Sequence, residues 1–183
     1  MSHPDFDEVR DITVIGAGPV GLAAAAHLLA QGEEPIILEA GSVAGASVLA
    51  WGHVRLFSPW RSMIDASARE LLSQSGDWVE PDGDAYPTGR ELVASYLEPL
   101  AALPAIRSRL RLESRVIQVT REGIDKMKDA GREDVPFVLI VRRPDGSEDT
   151  VLAKAVIDAS GATATPNPLG VAVVPAIGSA AAT

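Results

Sequence analysis

"ITVIGAGPVGLAAAAHLLAQG", Ile12 to Gly32, decides the reading of this chain. A β-branched run, Asp11 to Ile15, ends at three glycines, Gly16, Gly18 and Gly21, in G-x-G-x-x-G spacing. From Pro19 to Gln31 the apolar residues Leu22, Ala25, Ala26 and Leu29 recur at i, i+3, i+4 and i+7, the stripe of an amphipathic helix, and Gly32 supplies its stop. A second strand, "PIILE" from Pro35 to Glu39, follows at once. Two strands joined by a short crossover helix imply a right-handed parallel βαβ unit.

In such a turn each glycine has a task. Gly16 permits the tight bend, Gly18 lets the main chain approach a diphosphate, and Gly21 lets the helix pack close to the strand. The ligand's charge then meets amide N–H groups and the positive end of the helix dipole. Glu39 ends the second strand 23 residues after Gly16, near the place where an acidic side chain accepts hydrogen bonds from ribose hydroxyls and disfavours a 2′-phosphate. The turn therefore points to the adenosine diphosphate half of NAD or FAD rather than NADP. Glu39 also admits a second reading, as a solvated strand end.

Composition narrows the chemistry. The chain has 183 residues, 46% hydrophobic and 22% charged, the size and balance of one compact domain. With 25 acidic against 16 basic residues the net charge is -9, which repels polyanions, and no Lys/Arg cluster offers a nucleic-acid footprint. There is no cysteine, so disulfides, thiolate metal sites, iron-sulfur clusters and redox chemistry through a Cys pair are excluded. "MSHPDFDEVRD" lacks the layout of a secretory signal, and no apolar run reaches membrane-spanning length. The cytoplasm is the expected compartment, with no nucleic-acid or membrane partner.

Beyond the first unit, Ala40 to Trp60 is rich in Gly, Ser and Ala without sustained period and reads as a long functional loop. "SMIDASARELLSQSG" predicts a helix with Ile64, Ala68, Leu71 and Leu72 on one face. "YPTGRELVASYLEPLAALP" predicts another, opened by a Thr88/Glu91 capping box, kinked or shortened by Pro99 and ended by Pro104. Strands are expected at "LRL" near Arg111, "RVIQVT" from Arg115, "FVLIVRR" from Phe137 and "DTVLA" from Asp149, the last two joined by a "PDGS" hairpin turn. "GIDKMKDAGREDVP" is a charged excursion. "AVIDASG", Ala155 to Gly161, is a strand ending in small residues, followed by a Pro/Gly-containing, loop-like tail.

"ITVIGAGPVGLAAAAHLLAQGEEPIILEA" resembles the FAD-binding N-terminus of the two-dinucleotide-binding-domain flavoproteins, the group of the flavin-containing monooxygenases and the pyridine nucleotide-disulfide oxidoreductases. "AVIDASGATATPNPLG" is similar to the later segment where that group leaves its FAD domain for an inserted NAD(P)H domain, and Ser160 and Gly161 match the last positions of its Ala-Thr-Gly-like motif. "WGHVRLFSPW" and "YPTGRELVASYLEPLAAL" resemble bacterial monooxygenase-like members. The likeness implies a three-layer FAD/NAD(P)-binding Rossmann-like α/β domain over residues 1–183. Within it lie a helical segment, 62–103, and a small antiparallel β-meander, 110–153, on one face of a central parallel sheet.

It further implies FAD as cofactor, held by Gly16, Gly18, Pro19, Gly21, Glu39, Ala40, Ser160 and Gly161, with the strand at Val116 offering main-chain hydrogen bonds to the adenine. A surface strand of the meander is the alternative for Val116. The resemblance points to hydride acceptance from NAD(P)H, monooxygenase-like because cysteine is lacking, on an unknown small-molecule substrate. Trp51, Phe57 and Trp60 are either a shield for the flavin ring or core plugs. His53 is a proton donor or a surface imidazole, His27 a partly exposed helix residue, and Arg55 and Arg61 either neutralise the diphosphate or are solvated. No catalytic residue or metal-ligand set is assigned. The family's second glycine turn and closing Gly-Asp segment have no counterpart, so a partner chain or a further half is expected to supply the NAD(P)H site, and a non-catalytic dinucleotide-binding module is the alternative function.

Overall fold

The computed structural model describes residues 9–124, 127 and 130–162. Strand β1, Arg10–Ile15, leads through helix α1, Pro19–Ala30, to β2, Ile36–Leu38, and the two strands pair in parallel with Ile15 opposite Leu38. Pro19 sits at the start of α1, where its missing N–H would have had no intrahelical partner. Gly32, at φ +82°, ends the helix as its sequence predicts.

A helical layer follows. A short helix α2, Ala46–Leu49, interrupts the long loop, and a single 3₁₀ turn covers Trp60–Ser62. Helix α3, Ala66–Ser75, is capped by Asp65, whose Oδ1 accepts from the amides of Ser67 (2.9 Å) and Ala68 (3.1 Å), and Gly76 closes it at φ +83°. Thr88 and Glu91 form the expected capping box on α4, Gly89–Leu92. The helical run then widens into a π-turn, Val93–Leu97, before α5, Glu98–Ala102. Pro99 explains that widening: it cannot donate to the Ser95 carbonyl, and a wider turn gives its ring room. The indole Nε1–H of Trp78 takes the Ser95 oxygen instead, at 2.8 Å. Pro104 does not only end this run. With Leu103 extended (ψ 134°), it opens a further turn, α6, Pro104–Arg107.

The remaining strands are β3, Leu110–Arg111; β4, Arg115–Arg121; β5, Phe137–Arg142; and β6, Glu148–Asp158. Their order is β3-β2-β1-β6-β5-β4. The meander expected over 110–153 starts later than that range, because Leu110 and Arg111 pair in parallel with Ile37 and Leu38 and belong to the parallel sheet. Two main-chain hydrogen bonds, from Ile37 and Glu39 to the carbonyls of Arg109 and Arg111, hold the short strand there (both 2.9 Å). The meander proper is β4-β5-β6, with the hairpin turn at Pro144–Ser147 where it was expected and Gly146 at φ +83°.

Strand β6 belongs to both parts. Its first half pairs antiparallel with β5 and its second half parallel with β1, and Ala153 is opposite both Phe137 and Arg10. Alternate residues of the parallel strands then face two cores. Val14 and Ile37 pack with Leu22, Leu72, Tyr96, Leu97 and Leu100 of the helices. Ile15, Ile36 and Leu38 pack with Leu139, Val141 and Val151 of the meander. Helices, parallel strands and meander make the three layers that the sequence implies. No helix among the described residues is long and apolar enough to cross a membrane. The Pro/Gly-containing tail lies outside the described residues, as does part of the charged excursion.

Two side chains carry measurable stability terms. Thr13 is fully buried on β1, and its Oγ1 has no hydrogen-bond partner among the described residues. Replacing it by the near-isosteric valine removes an unsatisfied hydroxyl, so Thr13→Val is expected to raise stability by about 1 kcal/mol in urea unfolding. Burial of Asp65 would raise its pKa, but the amide of Ala68, the His27 ring and the amide of Ser67 together hold it below the ordinary 3.8. A depressed pKa means stabilisation that is present above 3.8 and fades as pH falls below it through the folded value. Thermal melts of Asp65→Ala should lie about 1 kcal/mol below wild type at neutral pH, and the gap should narrow below that range.

Candidate functional site

The glycine turn is built by close main-chain contact. Gly16 has φ +97°, and a Cβ there would lie 2.7 Å from the carbonyl oxygen of Ala159. A Cβ on Gly21 would lie 1.9 Å from the Gly16 oxygen. Both positions exclude any larger residue on steric grounds internal to the protein. Gly18 differs: its backbone is ordinary (φ -81°, ψ -172°), and a Cβ there would meet nothing within 4 Å. The protein leaves that space open.

Around this space, donors converge. The first turn of α1 leaves the Val20 and Gly21 amides without an intrahelical acceptor, while the Leu22 amide already donates to Gly18 O at 3.0 Å. No Lys or Arg is needed, since these groups and the helix dipole suit an anion. Arg55 donates to the Tyr86 carbonyl and Arg61 pairs with Asp84, so both are engaged by the segment between α3 and α4. The open space beside Gly18 and the unpaired amides at the start of α1 suit the diphosphate of a dinucleotide such as FAD.

The other expected residues gather on either side. Ala159 donates its N–H to Ile15 O at 2.9 Å, which lays the β6 end against the turn. Beyond it Asp158 Oδ1 accepts from the Ser160 amide (3.0 Å) and hydroxyl (2.6 Å), and Gly161 takes φ +72°. The Ser160 hydroxyl and amide hold the Asp158 carboxyl below the usual carboxylate range. Glu39 and Ala40 follow β2 on the opposite flank. Glu39 directs one carboxylate oxygen to the Ala17 amide and the other to the Gly41 amide, both at 2.7 Å. The Ser114 amide donates to Glu39 O at 2.7 Å, so β4 starts beside Glu39, and Val116 lies at a bulge in its first residues.

The aromatic alternatives divide. Trp60 is buried in the helical core, and Trp51 packs on Gly89, where a Cβ would come within 2.8 Å of the indole. Phe57 is 95% exposed on the same loop. His53 is exposed. His27, read as a partly exposed helix residue, is also a bridge: an imidazole donating through Nε2 to Asp65 Oδ2 (2.9 Å) accepts at Nδ1 from the Ser67 hydroxyl (3.1 Å), tying α1 to the start of α3. Beside it, an open cleft of about 690 Å³ runs from Pro19 and Val20 to Met63, Asp65 and Tyr96. Sequence reasoning missed Ala159 and Gly41 as parts of the site. Their signal was their position, within three residues of the ends of β6 and β2.

Residues 11–80 match the family of FAD-dependent oxidoreductases. The chain is 40% identical over 154 residues to flavin-containing monooxygenase FMO GS-OX-like 2 of Arabidopsis thaliana, a match that covers 69% of this chain and 32% of that protein. Bacillithiol disulfide reductase from Bacillus cereus has the same fold, with a TM-score of 0.64 at 23% identity over 90% of this chain and 43% of its own. An oxidized steroid monooxygenase bound to NADP gives a TM-score of 0.59 at 25% identity over 84% of this chain and 26% of its own. The chain thus spans about a third of the plant relative's length and less than half of either structure.

Gly18 and Gly21 should separate experimentally. Gly18→Val is expected to fold, losing under about 1 kcal/mol of stability, and to weaken ADP and FAD binding at least about tenfold in calorimetry, since its side chain enters the open space. Gly21→Ala is expected to lower the melting temperature sharply, at a cost of about 3 kcal/mol or more, with or without ligand.

Proposed function

We propose that this chain, the FAD-binding portion of an FAD-dependent oxidoreductase similar to flavin-containing monooxygenases, holds FAD by its ADP half and takes hydride from NAD(P)H in monooxygenase-like chemistry. The observation that carries the reading is the glycine turn itself: open space stands where a Gly18 side chain would be, at the N-terminus of α1, whose first amides have no intrahelical acceptor. Val20 and Gly21 would hold the diphosphate, with Gly16 and Pro19 setting the turn. Glu39 and Ala40 would border the adenosine ribose, and the main chain at Val116 the adenine. Ser160 and Gly161 would close the cradle from the β6 side. Bound FAD supplies the hydride acceptance and its onward transfer, and this chain's part is to position and shield it. With no cysteine, the chain cannot run a dithiol relay of its own.

Nicotinamide binding is assigned to a partner chain or to a further part of the polypeptide, the setting being the cytoplasm, where NAD(P)H is available. A second reading is a dinucleotide-binding module without its own turnover; the chain spans 32% of its plant relative's length. Purification separates the two. Yellow protein with partial flavin occupancy, completed by added FAD and bleached by NADH or NADPH without oxygen, is the expected result. Colourless protein that takes up FAD or ADP without reduction supports the module, and protein that binds neither overturns both.

A further inference from the structure

We infer that Glu39 is a positioning residue, a strut that holds the diphosphate turn in its binding shape before any ligand arrives, in addition to bordering the ribose. The inference rests on the dinucleotide reading of the site. Each Glu39 oxygen carries a main-chain amide, Oε2 that of Ala17 and Oε1 that of Gly41, at 2.7 Å. Ala17 is fully buried between the first two glycines of the turn, so its N–H must find a partner inside the protein. Its carbonyl is held as well, accepting from the Gly45 amide at 2.9 Å, and the neighbouring Gly16 amide donates to Leu38 O at 2.7 Å. On its β2 side the bend therefore hangs on residues 38–45.

Glu39 can bear this load because its own backbone is fixed. Its N–H donates to Arg111 O (2.9 Å), and its carbonyl accepts from the Ser114 amide (2.7 Å). Room for the second contact comes from Gly41, where a Cβ would lie 2.4 Å from the Ala46 methyl and 3.2 Å from Glu39 Oε1. Hydrogen bonds from amides to a carboxylate are among the stronger ones, and each oxygen keeps a further acceptor site for a ribose hydroxyl. The two roles are compatible in one side chain.

Sign distinguishes the strut from a ribose acceptor alone. Next to a diphosphate a carboxylate repels, so if Glu39 acted only through ribose hydroxyls, removing its charge would strengthen binding of a ligand that lacks them. If it holds the turn, removal weakens that ligand too. Glu39→Gln keeps the shape but sets an NH₂ group against one of the two amides. Calorimetry with ADP and with 2′,3′-dideoxy-ADP on wild type and Glu39→Gln is the test. An affinity loss of about five- to tenfold for both ligands is expected. Loss for ADP alone, with dideoxy-ADP unchanged or tighter, overturns the strut while leaving the dinucleotide site intact, and wild type that binds neither ligand overturns the site itself. Val141→Ala, which loosens the distant meander core, should lower stability without changing either affinity. Should Glu39→Gln not fold, amide exchange in ligand-free wild type decides: slow exchange at both Ala17 and Gly41 supports the strut, and exchange at the rate of open amides at either one overturns it.

Discussion

Main chain pressed against main chain at the carboxyl edge of the parallel strands is the constraint on which this structure depends. The Gly16 oxygen sits where a Gly21 side chain would be, and the Ala159 carbonyl sits where a Gly16 side chain would be. These approaches bring the start of α1 down onto the strand ends, which aims its unpaired amides along the sheet edge. Gly18 lies within the same bend but is free of that crowding. Nothing within the protein requires its lack of a side chain, whereas the other two glycines answer to close main-chain contact.

Most of the architecture was legible because it rests on local rules. The stripe of α1, the Thr88/Glu91 box and the "PDGS" turn each follow from spacing within a few residues, and each stands where it was expected. What was illegible was set by distant partners. Leu110 and Arg111 are too few to carry a pattern, and only the docking of Ile37 and Glu39 makes them a parallel strand. Pro99 announced an interruption, yet the indole that completes the Ser95 carbonyl comes from Trp78, in a stretch without period. In the site, Gly16, Gly18, Gly21 and Glu39 could be read from their order. That Ala159 abuts them could not, because the contact joins opposite ends of the described chain. The aromatic loop was ambiguous for a similar reason: Trp60 and Trp51 found core positions, and Phe57 did not.

Charge and dipole act here on different length scales. The chain carries a net charge of -9, and Arg55 and Arg61, the arginines weighed as neutralisers of the diphosphate, are spent on Tyr86 and Asp84. An anion is thus met at short range by peptide N–H groups rather than drawn in from afar by a positive field. Such a site favours a ligand whose affinity also comes from shape and apolar contact, as a dinucleotide's does, over a bare polyanion.

Strand β6 sets a timetable as well as a shape. It lies between β1 and β5 and so is the seam of the sheet, yet it is the last of the described strands in chain order. Loop closure over nearly the whole described chain must precede its pairing with β1, which makes this a late, non-local step in folding. Until the ribosome has released Ala159, the bend at Gly16 lacks its lid and Ile15 its hydrogen-bonding neighbour, so a nascent chain cannot present a finished nucleotide cradle. Completion of the turn is in this way deferred until translation has passed β6.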